Sequence, residues 1–82
     1  MERTVMDIVG ELFRTRLQAP DLDPGAPLLN YGLDSVRSVE LIVDLEHMFD
    51  VEIPDEDAAT LLTLSDVVDW LERHRSDALS AR

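Results

Sequence analysis

An all-α fold is what this sequence predicts: a small four-helix bundle, three main helices plus one short helix, with a long first loop. Three observations carry that prediction. Apolar residues recur at three- and four-residue intervals in three separate stretches. Proline and glycine concentrate in one segment between the first two of them. Capping-box pairs stand where helices could start, with Thr63 three residues before Asp66 and Thr4 three before Asp7, although the first helix could also begin earlier.

The first stretch sets Val5, Ile8, Val9, Leu12 and Phe13 on one helical face and should end near Leu17. "QAPDLDPGAPLLNYGLD", from Gln18 to Asp34, follows with Pro20, Pro24, Pro27, Gly25 and Gly32. It reads as a loop, tethered to the core by Leu28, Leu29 and Leu33. Loops this long in small domains are often functional.

The second helix runs from about Ser35 to Phe49. At 100° per residue, Ser38, Leu41, Ile42, Leu45, Met48 and Phe49 share the core face. Val36, Val39 and Val43 point largely the other way, among Glu40, Asp44 and His47. A helix that is apolar on both sides is buried twice or docks onto something. With so little protein to cover it, docking is the favoured reading.

In "DVEIPDED", Ile53 should pack inward and Pro54 should end the connection, with one short helix over Asp55 to Leu61. The last helix opens at "TLSD", where Leu62 and Val67 fit a hydrophobic staple. Val67, Val68 and Leu71 form its buried stripe with Trp70 beside it. Arg73, His74 and Arg75 suit its C-terminal dipole, and a tail over residues 76–82 should fray. One domain spans residues 1–82.

Composition limits the functions available. The chain has 82 residues, and 18 acids against 7 bases give a formal net charge of −11. Phosphate backbones would be repelled, so nucleic acid is not an expected partner, and basic protein surfaces are. There is no cysteine, hence no disulfide, no thiolate metal site and no thiol of the chain's own. No run of apolar residues is long enough to span a membrane. The N-terminus lacks the apolar core of a signal peptide, so a cytoplasmic monomer is expected.

Ser35 is the residue with chemistry to weigh. As a nucleophile it needs a base within hydrogen-bond reach. His47 lies about 18 Å along the same helix at 1.5 Å per residue, and nothing in the sequence brings His74 close. As a cap, either Ser35 or Asp34 suits a helix start. As a modification site, Ser35 would set a phosphodiester where a helix N-terminus favours anions. The histidines lack metal-site spacing. "DLDPG" is a poor calcium loop, with its glycine one place early and Gly32 where the terminal glutamate should stand.

"YGLDSVRSVELIVDLEHMFDVEIPDED" resembles the second helix and following loop of an acyl carrier protein. The G-L-D-S core, the "FDVEIPDE" turn and the four-helix layout all match, and the likeness covers essentially the whole chain. The resemblance implies 4′-phosphopantetheine moved from coenzyme A onto Ser35 by a phosphopantetheinyl transferase. It implies an arm whose thiol holds an acyl or aminoacyl thioester, and a chain that performs no catalysis itself. Asp34 would contact the transferase. Val36, Arg37, Glu40, Val43, Asp44 and His47 would meet the basic docking patches of acyltransferase, ligase or ketosynthase type enzymes.

Fatty-acid carriers usually have an acid two residues after the serine, where this chain has Arg37. "GLDSVR" is similar to aryl and peptidyl carriers, whereas "VELIVDLEHMFDVEIPDED" is nearer to discrete acyl carriers. The expectation is a discrete carrier of polyketide or mixed polyketide–peptide secondary metabolism, such as antibiotic biosynthesis. The alternatives are a stand-alone peptidyl or aryl carrier charged by an adenylating ligase, a fatty-acid carrier, and a helical adaptor without a prosthetic group.

Overall fold

The computed structural model describes residues 4–80, with side-chain surroundings through residue 74. The elements in chain order are α1 (Val5–Arg16), a 3₁₀ turn (Leu28–Tyr31), α2 (Ser35–Phe49), α3 (Asp55–Ala58) and α4 (Leu64–Ser80). The described residues hold no β-strand; one isolated antiparallel bridge joins Pro27 and Thr63. The all-α bundle with one short helix is the observed fold.

α1 begins where its capping box predicts. Thr4 Oγ1 accepts from the Asp7 N–H at 3.0 Å, and Asp7 Oδ2 accepts from the Thr4 N–H at 3.4 Å. It ends at Arg16 in a Schellman arrangement, with Ala19 N–H on the Arg14 carbonyl at 2.9 Å and Gln18 N–H on the Thr15 carbonyl at 3.3 Å. Gln18 holds the left-handed position, φ 54°, that glycine usually fills.

The core joins Val5, Val9, Phe13 and Leu17 to Leu41 and Leu45 of α2 and to Leu64, Val67, Val68, Trp70 and Leu71 of α4. α1 packs chiefly on α4. Leu22, Leu28 and Ile53 close the core from the connections.

The long loop is strapped down. Asp23 N–H donates to Tyr31 Oη at 3.0 Å. Ser65 N–H donates to the Pro24 carbonyl at 3.0 Å, and Leu28 N–H to the Leu62 carbonyl at 2.9 Å. Leu28 is buried and Leu33 half-buried, as expected of tethers, but Leu29 is 75% exposed. In a 3₁₀ turn successive side chains stand a third of a turn apart, so Leu28 pointing inward sends Leu29 outward.

α2 buries Leu41 and Leu45, with Ile42 and Phe49 half-buried. Met48, expected on the core face, is 49% exposed because it falls on the edge of that stripe. α2 stops at Asp50, which is left-handed at φ 54°. Glu46 organises the exit: its carbonyl accepts from Val51 N–H at 3.2 Å, and its Oε2 accepts from Ile53 N–H at 2.8 Å.

α3 is shorter than the Asp55–Leu61 helix expected. Thr60 turns both its N–H (2.9 Å) and its hydroxyl (2.8 Å) onto the Asp57 carbonyl, tightening the chain out of α geometry. The capping box of α4 forms through Thr63 and Asp66, at 3.0 and 3.2 Å. Leu62 remains 62% exposed rather than forming the expected staple with Val67; its N–H also donates to Asp66 Oδ2 at 3.1 Å. α4 continues through Ser80, past the fraying expected from residue 76, so Arg73, His74 and Arg75 lie inside it rather than in its last turn. Residues 81–82 of that tail lie outside the described residues.

Replacing Glu46 with alanine removes a charged acceptor from a half-buried N–H and should cost about 1.5–3 kcal/mol. Urea denaturation of both chains checks this, with Glu46→Gln falling between them.

Candidate functional site

Four consecutive residues build the junction before α2. Gly32 sits at φ 87°, a conformation in which an L side chain is strained. That turn ends the 3₁₀ segment and brings Leu33 back onto the core, with Leu33 N–H on the Leu28 carbonyl at 3.4 Å. Asp34 then caps the helix from extended backbone, its Oδ1 accepting from Arg37 N–H at 2.8 Å. Ser35 is therefore the first residue inside α2, not its cap. It is exposed, and among the described residues its hydroxyl has no hydrogen-bond partner.

This environment fits a covalently attached phosphodiester. The 15-residue helix directs its positive end at Ser35. The carboxylate of Asp34 uses only the Arg37 N–H, so the first N–H groups of the helix remain uncommitted. An open groove of about 340 Å³ runs beside the serine, lined by Arg16, Asp34, Val36, Arg37, Glu40 and Leu41.

The rest of α2 divides into two kinds of residue. Val36, Val39 and Val43 are 69%, 63% and 42% exposed, a continuous apolar strip with Glu40 and His47 also exposed beside it. Arg37 and Asp44 are engaged within the fold instead. Arg37 Nη1 donates to the Arg16 carbonyl at 2.9 Å. Asp44 Oδ2, shielded from solvent, faces Arg16 Nη2 at 2.7 Å in an ion pair rather than an aligned hydrogen bond. Both residues therefore hold α2 against the end of α1. The helical projection carries the signal for this, since Arg37 and Asp44 fall on the Leu41 side of α2.

Two further spaces border α2. A surface groove of about 310 Å³ opens between α2 and α3, lined by Ser38, Val39, Ile42, Val43, Glu46, Ile53, Asp55 and Ala58. Adjoining it is a smaller apolar cleft of about 60 Å³, open to solvent, whose lining includes Ser38, Ile42, Ala58 and Leu61. Sequence reasoning missed two residues of this region. Glu46 was not distinguishable from the other solvent-face acids, and Asp57, which accepts from Trp70 Nε1 at 3.0 Å, lies in a run of acids with nothing to single it out.

The model of the phosphopantetheine attachment site family matches residues 3–71, and the chain belongs to that family. The group that such a domain carries covalently is 4′-phosphopantetheine. The chain is also similar to an acyl carrier protein of Syntrophobacter fumaroxidans, 49% identical over 45 residues. That match covers 55% of this chain and 56% of the relative, so the chain spans little more than half the length of the curated protein it matches.

Because the cap and the free hydroxyl are separate residues, they should separate in measurement. Asp34→Ala should lower stability by about 1 kcal/mol, whereas Ser35→Ala should change it by no more than about 0.5 kcal/mol. Thermal unfolding of the two variants beside the parent chain checks both values.

Proposed function

We propose that this chain is a carrier protein whose Ser35 hydroxyl is the attachment point for 4′-phosphopantetheine. The observation that carries the reading is an exposed hydroxyl with no hydrogen-bond partner among the described residues, at the first position of a long helix that another residue already caps. The attached arm supplies a terminal thiol on which an acyl or aminoacyl group is held as a thioester. The chain lacks a cysteine, so that thiol has no rival.

Ser35 Oγ forms the bond to phosphorus as the pyrophosphate of coenzyme A breaks and adenosine 3′,5′-bisphosphate leaves. No side chain among the described residues accepts the serine proton, so the base belongs to the transferase. Gly32 and Leu33 hold the approach to the serine open, and Asp34 keeps the helix start ordered while the enzyme works on its neighbour.

Partners then meet α2. The strip of Val36, Val39 and Val43 supplies the contact area, and Glu40 supplies the charge that a basic patch recognises. His47 stands at the far end of the same exposed side. Arg37 and Asp44 belong to this face only as supports. The partners of this reading are a phosphopantetheinyl transferase, then acyltransferase, ligase or ketosynthase type enzymes acting on a monomer in the cytoplasm. Arg37, in place of the acid usual in fatty-acid carriers, supports a polyketide or mixed polyketide–peptide setting. "GLDSVR" favours a second reading, a peptidyl or aryl carrier charged by an adenylating ligase.

Intact mass after incubation with coenzyme A and a broad-specificity transferase should rise by one phosphopantetheine, located by fragmentation on Ser35. Ser35→Ala should gain nothing. A folded, unmodified parent chain that gains no mass would leave the adaptor reading in its place. Glu40→Lys should slow transfer several-fold at low salt and little at high salt, because screening removes the same attraction. Initial transfer rates at two ionic strengths measure this.

A further inference from the structure

We propose that Arg16 of α1 withholds Asp44 from partner enzymes, so that α2 meets them as a valine strip with one free carboxylate, at Glu40. The docking half of this statement rests on the carrier reading above; the pairing of Arg16 with Asp44 does not.

α2 carries three acids, Glu40, Asp44 and Glu46. Two of them are engaged inside the fold. Glu46 is half-buried, and its Oε2 accepts from Ile53 N–H at 2.8 Å. Asp44 Oδ2 is shielded from solvent and faces Arg16 Nη2 at 2.7 Å. Glu40 alone is exposed, with neither a hydrogen bond nor an ion pair among the described residues.

Arg16 is the outer member of its pair. Its side chain is 50% exposed and that of Asp44 27%, so a partner nearing this part of α2 meets the guanidinium first. At a Debye length, about 8–10 Å, the two charges cancel. Arg16 also borders the docking face, since it lines the open groove beside the serine together with Val36 and Glu40. Arg37 is turned the same way, with Nη1 on the Arg16 carbonyl at 2.9 Å. That carbonyl ends α1, where a cation is favoured. Exchanging the Arg16 side chain leaves this second tie in place, because Arg16 makes it with its main chain.

The consequence is a choice of partner. An enzyme that recognises a run of acids along a helix finds one free carboxylate here, where the sequence shows three. The surface fits an enzyme whose patch is chiefly apolar, opposite Val36, Val39 and Val43, with a single cation opposite Glu40. Removing the Arg16 side chain would release Asp44 one turn beyond Glu40 on the same side of α2 and shift that preference toward more basic partners.

Labelling of carboxylates by a water-soluble carbodiimide and an amine, located by fragmentation of the unmodified chain, tests the pairing. Glu40 should label several-fold faster than Asp44. In Arg16→Gln the two should label at similar rates, whereas in Arg16→Lys, which keeps a cation, Asp44 should stay slow. Equal labelling of Glu40 and Asp44 in the parent chain would overturn the proposal.

Docking is tested by initial rates of phosphopantetheine transfer from coenzyme A, with a broad-specificity transferase at low salt. Glu40→Gln should slow transfer about threefold, and Arg16→Gln should speed it about threefold with a steeper fall as salt rises. The neutral pair, Arg16→Gln with Asp44→Asn, should stay at the parent rate. Arg14 lies along α1 against Gly10. Arg14→Gln therefore removes the same charge from the same helix without touching Asp44, and should change the rate by less than about twofold. A neutral pair as slow as Glu40→Gln would make Asp44 a docking acid and sink the proposal. So would an Arg14→Gln gain equal to that of Arg16→Gln, which net charge alone would explain. No mass gain in any chain, the parent included, counts against Ser35 as the attachment point, and the labelling still decides whether Arg16 withholds Asp44.

Discussion

The bond from Arg37 N–H to the carboxylate of Asp34 is the interaction on which the site depends. A helix start needs an acceptor, and serine and aspartate both serve well. With the two side by side, one must take the role. Asp34 takes it at 2.8 Å, and among the described residues the neighbouring hydroxyl has no hydrogen-bond partner. A residue that helix physics would ordinarily consume is thereby set free at the positive end of a 15-residue dipole. The glycine before it turns the chain and the leucine anchors it, so the free hydroxyl stands on a fixed base.

The same division of labour runs along α2. A helix in so small a bundle has one face for the core, and its other residues are available for ties or for partners. Leu41 and Leu45 go inward. Arg37 and Asp44 bind the end of α1, at 2.9 and 2.7 Å. The valines remain open. Charge alone does not distinguish these roles, since Glu40 and Asp44 are both carboxylates on one helix; direction around the axis does.

Much of this was legible in the sequence because it is written in local patterns. Both capping boxes, the start and end of α2, the buried Ile53 and the stripe of α4 follow from spacing and residue type within a few positions. Leu29, Met48 and Leu62 show where locality stops. Each is a large apolar residue in a plausible core position, and each was turned outward by its backbone setting: a 3₁₀ turn, the edge of a stripe, a connection held by main-chain bonds. The reach of Arg37 to Arg16, of Glu46 to Ile53 and of Trp70 to Asp57 lies beyond spacing rules. Such bonds depend on how elements meet, and an acid that will accept a distant N–H has the same letter as one that faces water.

The straps on the long loop tie the setting of the serine to a distant part of the chain. One of the first N–H groups of α4, on Ser65, is satisfied by the Pro24 carbonyl, and Leu28 is joined to Leu62. Gly32 and Leu33 end the segment that these bonds hold, and Leu33 N–H is itself on the Leu28 carbonyl. The turn before Ser35 therefore rests on the entry to α4 as well as on its own neighbours, and a substitution that loosens Leu62 or Ser65 would be felt some thirty residues away, at the serine.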